Sequence, residues 1–243
     1  MTIHDRTMPN SFSRVKEVFE QWSMYDAVVQ ADYMAHNELV ATLSTWAGKR
    51  TEPLRIIDLG CGDAWLATHA FLDANVEAYH GVDVSDSAAE LAREHTVIWQ
   101  GKAGVTAGNL ADFLHNVPDA SANVVLASYS IHHFSSEAKV ALIADIYRVL
   151  APGGTFLWID AVRREDESRD AYIDRLTHEM QNDWTALTPD QRENACTHVR
   201  ESDFPETGHW MLDHTRAAGF EPAETILENP FFLGWVFIKA RNN

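Results

Sequence analysis

Leu54-Arg55-Ile56-Ile57-Asp58-Leu59-Gly60-Cys61-Gly62-Asp63-Ala64 decides the fold. A short apolar run with two isoleucines leads into two glycines one residue apart, and helically spaced apolar residues follow at once, so the stretch predicts strand, tight turn and helix. That order opens a βαβ unit. A chain that turns straight from a buried strand into a helix needs backbone freedom and no Cβ in the path of a ligand, which glycine provides. Asp58, at the end of the strand, faces the crevice as a carboxylate, which repels phosphate and welcomes a cationic or zwitterionic ligand. Trp65 stands where the dinucleotide fingerprint G-x-G-x-x-G needs its third glycine.

Downstream, Trp65 to Ala74 reads as a helix and Glu77 to Ser85 as a second strand with an acid near its end. Asp83 lies 21 positions beyond Gly62, where a doubly wound fold places the carboxylate that accepts both ribose hydroxyls. Its structural alternative is to cap the helix that follows, Ser85 to Glu94. Ser87 to Trp99 is helical, Val105-Thr106-Ala107 is a short third strand, and Gly108-Asn109-Leu110 sits at its carboxyl end, where Asn109 could read an adenine edge. Asn123 to Ser130 is an apolar strand of the fully buried kind, running into Ile131-His132-His133-Phe134. Ser136 to Leu150 is an amphipathic helix, and Pro152-Gly153-Gly154 turns the chain into a fifth strand, Thr155 to Asp160.

With 243 residues, 46% apolar and 10% aromatic content, the chain is long enough for one globular α/β domain with a sizeable core. Its net charge of −17, from 19 Lys+Arg against 36 Asp+Glu, sets a general repulsion against nucleic acid and anionic membranes, so neither is expected as a partner. The N-terminus lacks the apolar core of a signal peptide, and no stretch approaches the roughly 18 apolar residues of a membrane span, so a cytoplasmic location is expected. Two cysteines, Cys61 and Cys196, make no metal cluster by themselves, and neither a metal nor a disulfide is expected.

These residues together resemble the class I S-adenosylmethionine-dependent methyltransferases. Asp58-Leu59-Gly60-Cys61-Gly62 looks like the family's first motif, Gly81-Val82-Asp83-Val84-Ser85 like its ribose-binding motif, and Gly108-Asn109-Leu110 like its adenine-contacting turn. Ala127 to Phe134 is similar to its fourth-strand motif, and Leu150-Ala151-Pro152-Gly153-Gly154-Thr155 to its Leu-x-Pro-Gly-Gly turn. The resemblance covers roughly residues 54–160 and implies S-adenosylmethionine as cofactor. Gly60, Cys61 and Gly62 would then lie near its methionine part with Asp58 as the motif's acid. Asp83 and Val84 would lie at the ribose, Asn109 and Leu110 at the adenine, and Ser128 beneath the cofactor. Ala64 stands where many members have a third glycine, and Asn109 where an Asp is commoner.

Methyl transfer from a sulfonium is an in-line displacement, so the protein's task is to align the nucleophile and exclude water. A base is needed only for a protonated nucleophile. His132 and His133 are the candidates, since imidazole titrates near neutrality. His133 is preferred because it matches the more regular His of the family motif; either could instead cap the next helix or shape the pocket floor.

Residues 11–47 carry apolar side chains at helical spacing, including Val15, Phe19 and Trp22, and predict two helices. They form an N-terminal helical cap, residues 1–50, which either only packs on the sheet or walls a substrate pocket with Trp22, Tyr25, Tyr33 and His36. The α/β domain takes 51–162 and 208–243. Between its parts, 163–207 predicts an inserted helical lid, with Thr188-Pro189-Asp190-Gln191 as a helix start. His178 and Trp184 are its main substrate candidates, beside Arg164, Arg175, Arg192, His198 and Arg200. Gly219 should cap a last helix, followed by a hairpin, Ala223–Glu228 and Phe231–Ala240.

The sequence thus predicts a doubly wound, seven-stranded, mostly parallel sheet and a methyltransferase acting on an O, N or S atom of a small molecule, with room for a homodimer. Two alternatives remain: a non-catalytic protein that binds S-adenosylmethionine or carries a modified form of it, and an NAD(P)-dependent oxidoreductase. The latter shares the glycine turn and the second-strand acid, yet leaves the Pro-Gly-Gly turn unexplained.

Overall fold

The computed structural model describes residues 24–221 and 224–241. Val15, Phe19 and Trp22 lie outside the described residues. Residues 24–30 are helical and lead through a turn into α1 (His36–Gly48), so the cap ends in a helix as its spacing predicts.

The chain then alternates strand and helix: β1 (Leu54–Leu59), α2 (Trp65–Ala70), β2 (Val76–Asp83), α3 (Asp86–His95), β3 (Ala103–Ala107), α4 (Leu110–Asn116), β4 (Ala122–Ser128), α5 (Ser136–Val149) and β5 (Leu150–Arg163). Two helices, α6 (Arg169–Asp183) and α7 (Pro189–Ser202), precede β6 (Glu206–Thr207), α8 (Gly208–Ala218), β7 (Glu224–Glu228) and β8 (Phe232–Ile238). The strand order is β3-β2-β1-β4-β5-β8-β7, the expected seven, and the two residues of β6 add an eighth strand alongside β5. Pairing is parallel from β3 through β5 and antiparallel at β8 and β7.

Strand residues alternate between two apolar layers, as the two-residue strand period requires. Ile56, Val124, Leu126, Leu157 and Ile159 face the layer that holds α1, α2 and the α6–α7 insertion. Ile57, Val125, Ala127, Phe156 and Trp158 face the layer under α5 and α8. The insertion belongs to this core: Tyr172, Ile173, Leu176, Met180 and Cys196 are buried in the first layer.

Several element ends differ from expectation. Strand β5 begins at Leu150, before Pro152-Gly153-Gly154, because the Gly153 N–H and the Gly154 carbonyl both bond to Lys239 at the end of the hairpin. Left-handed Gly153 (φ 80°) and a register break against β4 between Ala122 and Val124 absorb the excursion. Helix α2 stops at Ala70 and gives way to turns. The helix expected from Ser87 to Trp99 divides into α3 and a 3-10 turn, Thr96–Trp99. The capping box at Thr188 and Gln191 and the left-handed Gly219 cap are where their residue types placed them.

Asn109 is the N-cap of α4, its Oδ1 accepting from Ala111 N at 2.8 Å and Asp112 N at 3.3 Å. Asn109→Ala should lower unfolding free energy by about 1 kcal/mol, as measured by urea denaturation at constant m-value.

Candidate functional site

The chain runs from β1 outward to β2 and β3, then returns to β4 on the other side of β1. That reversal leaves a crevice at the carboxyl ends of β1 and β4, the place where open α/β sheets bind ligands. A cavity of about 180 Å³ lies there, lined by Tyr25, Met34, His36, Asp58, Gly60, Cys61, Gly62, Leu66, Asp83, Leu126, Ser128 and Tyr129. Register brings the parts together: Asp58 is level with Gly81 on one side and Leu126 on the other.

The glycine turn is shaped by close approach. Gly60 has φ 72°, and a Cβ placed on it would stand 2.3 Å from the Ser130 Cβ; the Ser130 hydroxyl donates to the Leu59 carbonyl at 2.6 Å. Gly62 has φ 54°, and a Cβ there would point at the Tyr25 hydroxyl, 3.8 Å away, inside the cavity. Asp83 Oδ2 accepts from Gly62 N and Oδ1 from Ser85 N, each at 2.9 Å, which ties the first turn to the end of β2. The cap of α3 is Ser85 instead, accepting from Ala88 N, so Asp83 is not the helix cap its sequence alternative allowed.

The cavity is acidic. Asp58 and Asp83 line it, and among the described residues no lysine or arginine does. Burial pushes the Asp58 carboxyl up to about 7, against the hydrogen bond it accepts from the Tyr79 hydroxyl at 2.8 Å, and the charge of Asp83 adds to the rise. Tyr25 is raised well above the usual tyrosine value by burial and by the carboxylates of Asp63, Asp58, Asp83 and Asp26. The Cys61 thiol is raised by burial and the same two lining carboxylates, so it stays a thiol rather than a thiolate. Burial pulls His36 down to about 4 despite Asp32, leaving a neutral ring at neutral pH.

Two buried polar atoms of lining residues, His36 Nδ1 and Ser128 Oγ, have no hydrogen-bond partner. Just outside, Val84 is 78% exposed at the end of β2, an apolar side chain at the crevice rim. Paired carboxylates, two unpartnered polar groups, a Cβ-free turn and an exposed apolar rim fit a zwitterionic sulfonium joined to a nucleoside.

A depressed histidine has a stability consequence. The unfolded chain takes up a proton below pH 6.5 that folded His36 refuses until about 4, so unfolding free energy should fall as pH drops through that interval. The slope should be shallower in His36→Gln by up to about 1.4 kcal/mol per pH unit, as read from urea melts across pH 4–7.

Of the residues singled out by sequence, Tyr25, His36, Asp58, Gly60, Cys61, Gly62, Asp83 and Ser128 line the cavity. Val84, Asn109 and Leu110 lie beyond that lining, at the ends of β2 and β3. Tyr33 and Trp184 stack on each other at 4.9 Å, and the Tyr33 hydroxyl accepts from Ala186 N, joining cap to insertion. His178 is exposed on α6 beside Asn182. Arg175 is held by Glu167 and the Pro230 carbonyl, and Arg192 by the carbonyls of Trp184 and Leu187. His132 and His133 are not among the lining residues; they sit in a 3-10 turn (Ile131–His133) packed against Asp160 and Asp203. The cap of α5 is Ser135, so neither histidine fills that role.

Sequence reading missed Met34, Leu66, Leu126 and Tyr129 as lining residues. Tyr129 carries a signal only the backbone shows, φ 55° in a non-glycine residue, and its hydroxyl donates to the Met34 carbonyl.

Comparison with known proteins agrees with this geometry. Residues 56–154 match the family model described as a methyltransferase domain. The chain carries a methyltransferase domain there, and the match supports the class I S-adenosylmethionine-dependent methyltransferase family. It is 26% identical over 212 residues to a carboxy-S-adenosyl-L-methionine synthase of Pseudoalteromonas atlantica, covering 86% of this chain and 81% of that protein. It is 26% identical over 222 residues to the synthase of that name in Mannheimia succiniciproducens, covering 89% and 90%. Among solved structures, the methyltransferase in complex with the Haloferax volcanii Trm112 activator superposes with a TM-score of 0.64 at 16% identity, over 93% of this chain and 98% of that one. The YcgJ protein of Bacillus subtilis gives 0.58 at 18% identity, over 85% and 100%. Such structural likeness shows the fold alone, since a cyclase, SpnF, superposes comparably at 0.59. The comparisons thus support an enzyme of that class with S-adenosylmethionine as its cofactor.

Proposed function

We propose that the protein transfers the methyl group of S-adenosylmethionine to an O, N or S atom of a small molecule. The observation that supports this most is the acidic cavity beside the glycine turn, with carboxylates at Asp58 and Asp83 and no lining cation among the described residues. Such a site favours a sulfonium and disfavours the pyrophosphate of a nicotinamide cofactor. When bound, S-adenosylmethionine supplies an electrophilic methyl group on a positively charged sulfur. Asp58 supplies negative charge near that positive end, and Asp83 offers acceptors for the ribose hydroxyls. The neutral ring of His36 provides the unpartnered nitrogen best placed to orient a nucleophile's hydrogen, and the Tyr33–Trp184 stack closes the cap on the insertion against water. Residues 163–207 act as the lid in this reading. His133 does not border the cavity and receives no proton-transfer role. The cytoplasm is the proposed compartment, consistent with two free cysteines, and no helix among the described residues is long and apolar enough to cross a membrane.

A second reading is formation of carboxy-S-adenosyl-L-methionine, the activity in the names of relatives that cover most of this chain. It asks the cavity to hold one more carboxylate beside Asp58 and Asp83, with no lining arginine or lysine among the described residues to receive it. Mass spectrometry of S-adenosylmethionine incubated with the purified protein, a panel of small acceptors and a panel of carboxylic acids able to release their carboxyl group separates the readings. S-adenosylhomocysteine appearing with a methylated acceptor is the expected result. A sulfonium product heavier by one carboxyl group would establish the second reading, and tight binding without either product would make the protein a carrier.

A further inference from the structure

The turn after β4 and the end of α7 bring together three groups that the methyl-transfer site does not use. Asp203 is 4% exposed and closes α7, and its Oδ1 has no hydrogen-bond partner. Two imidazole nitrogens approach that oxygen, His132 Nε2 at 3.5 Å and His133 Nδ1 at 3.3 Å. One ligand atom from each residue lies within 4.8 Å of the others. We propose that His132, His133 and Asp203 form a binding site for one divalent transition-metal ion of the zinc class, although no such ion was expected from the sequence.

The spacing argues for an ion rather than a proton. Bonds of about 2.0–2.1 Å to a tetrahedral ion put its ligand atoms roughly 3.3–3.4 Å apart, close to both separations from the Asp203 oxygen. Those separations lie at or past the long end of hydrogen-bonding distance, and the oxygen makes no hydrogen bond to either ring. The tautomer is arranged as well. The Asp160 carboxylate accepts from His132 Nδ1 and is itself held by Trp158 Nε1 at 2.9 Å, which leaves the Nε2 lone pair directed toward Asp203. A carboxylate behind a histidine in this manner orients the ring and raises its basicity as a ligand. His133 Nδ1 rests 3.1 Å from the Ser202 carbonyl and must release its hydrogen when the ion enters. Its side chain is 37% exposed, which gives an entry path and room for water in the fourth position. Two imidazoles and a carboxylate suit zinc, nickel or cobalt better than magnesium or calcium.

The ligands come from two separate parts of the chain, so the ion would fasten the α6–α7 insertion to the carboxyl end of the sheet. Phe204 N already donates to the His132 carbonyl at 2.8 Å, placing the two segments of this clasp side by side.

The test is titration of chelator-treated full-length protein with cobalt(II) and zinc(II) alone, read by visible absorption, calorimetry and thermal unfolding. We expect one equivalent of cobalt with the intense visible bands of a tetrahedral site, displacement by zinc, and a rise in melting temperature. Asp203→Asn and His133→Ala should each weaken that equivalent tenfold or more; the half-exposed His133 gives a variant that folds even if Asp203→Asn does not. Absence of a stoichiometric ion in the wild type, or equal affinity in His133→Ala, overturns the proposal. Neither result bears on S-adenosylmethionine binding, which is measured separately.

Discussion

Gly60→Ala should lower unfolding free energy by about 3 kcal/mol or more and abolish detectable S-adenosylmethionine binding. Two costs combine at this position. The backbone sits at φ 72°, where a side chain costs roughly 1–2 kcal/mol, and the new methyl would lie 2.3 Å from the Ser130 Cβ, a separation that forces the turn or the β4 end to move. Either movement displaces Gly62 N from Asp83 and Leu59 O from the Ser130 hydroxyl. Guanidinium unfolding and calorimetric titration read the two effects separately. Gly62→Ala is the informative comparison: it also has positive φ, yet its Cβ meets only the Tyr25 hydroxyl at 3.8 Å. That variant should lose about 1 kcal/mol of stability while still binding weakly, because its methyl intrudes on the cavity and not on the scaffold. The double variant Gly60→Ala/Ser130→Gly should recover part of the lost stability. No recovery would show that the strain lies in the backbone angle alone.

The parts of this site that were legible in the sequence are those written in local chemistry. Gly60 and Gly62 announce left-handed backbone, Asp58 and Asp83 stand at or next to strand ends, and the apolar run Val124–Ala127 is a buried strand wherever it sits. Local spacing also revealed the Thr188 capping box and the Gly219 stop. What stayed hidden depends on partners far along the chain. Strand β5 starts early because of Lys239, and Tyr129 reaches the cavity through a strained turn that donates to Met34, 95 residues away. His132 and His133 were read beside the cofactor because their turn follows β4, but a 3-10 turn re-aims them toward Asp160 and toward Asp203, a residue of the insertion. No periodicity specifies that direction. Asn109 shows a further limit: one residue type serves both as a base reader and as a helix cap, and only the Ala111 and Asp112 bonds show that it caps.

S-adenosylmethionine should bind more tightly at pH 8 than at pH 6, and Asp58→Asn should flatten that dependence and weaken binding at pH 8 by about a hundredfold. In the ligand-free fold burial holds the Asp58 carboxyl near 7, so much of the population is protonated at pH 6 and anionic at pH 8. A sulfonium and an ammonium favour the anion, and by linkage the same ligand pulls the Asp58 value down. The stability consequence has the opposite sign. An unfolded aspartate ionises near pH 3.8, whereas the folded one keeps its proton to about 7, so the free protein should lose stability as pH rises through this interval. The full difference is on the order of 4 kcal/mol for a carboxyl this buried, and Asp58→Asn should remove it, leaving the free variant more stable than wild type at pH 8. Tyr79, whose hydroxyl donates to Asp58, limits the cost of the anion, so Tyr79→Phe should shift the binding transition to higher pH without changing its form. Calorimetric titrations across pH 6–8 and urea melts of the ligand-free protein supply both readouts. Weaker binding at pH 8, or a pH dependence that survives Asp58→Asn, would assign the cation-binding charge to Asp83 instead. Burying an acid beside a left-handed glycine turn is unfavourable without a ligand and becomes favourable with a cation nearby, which is why this buried carboxylate marks the ligand site.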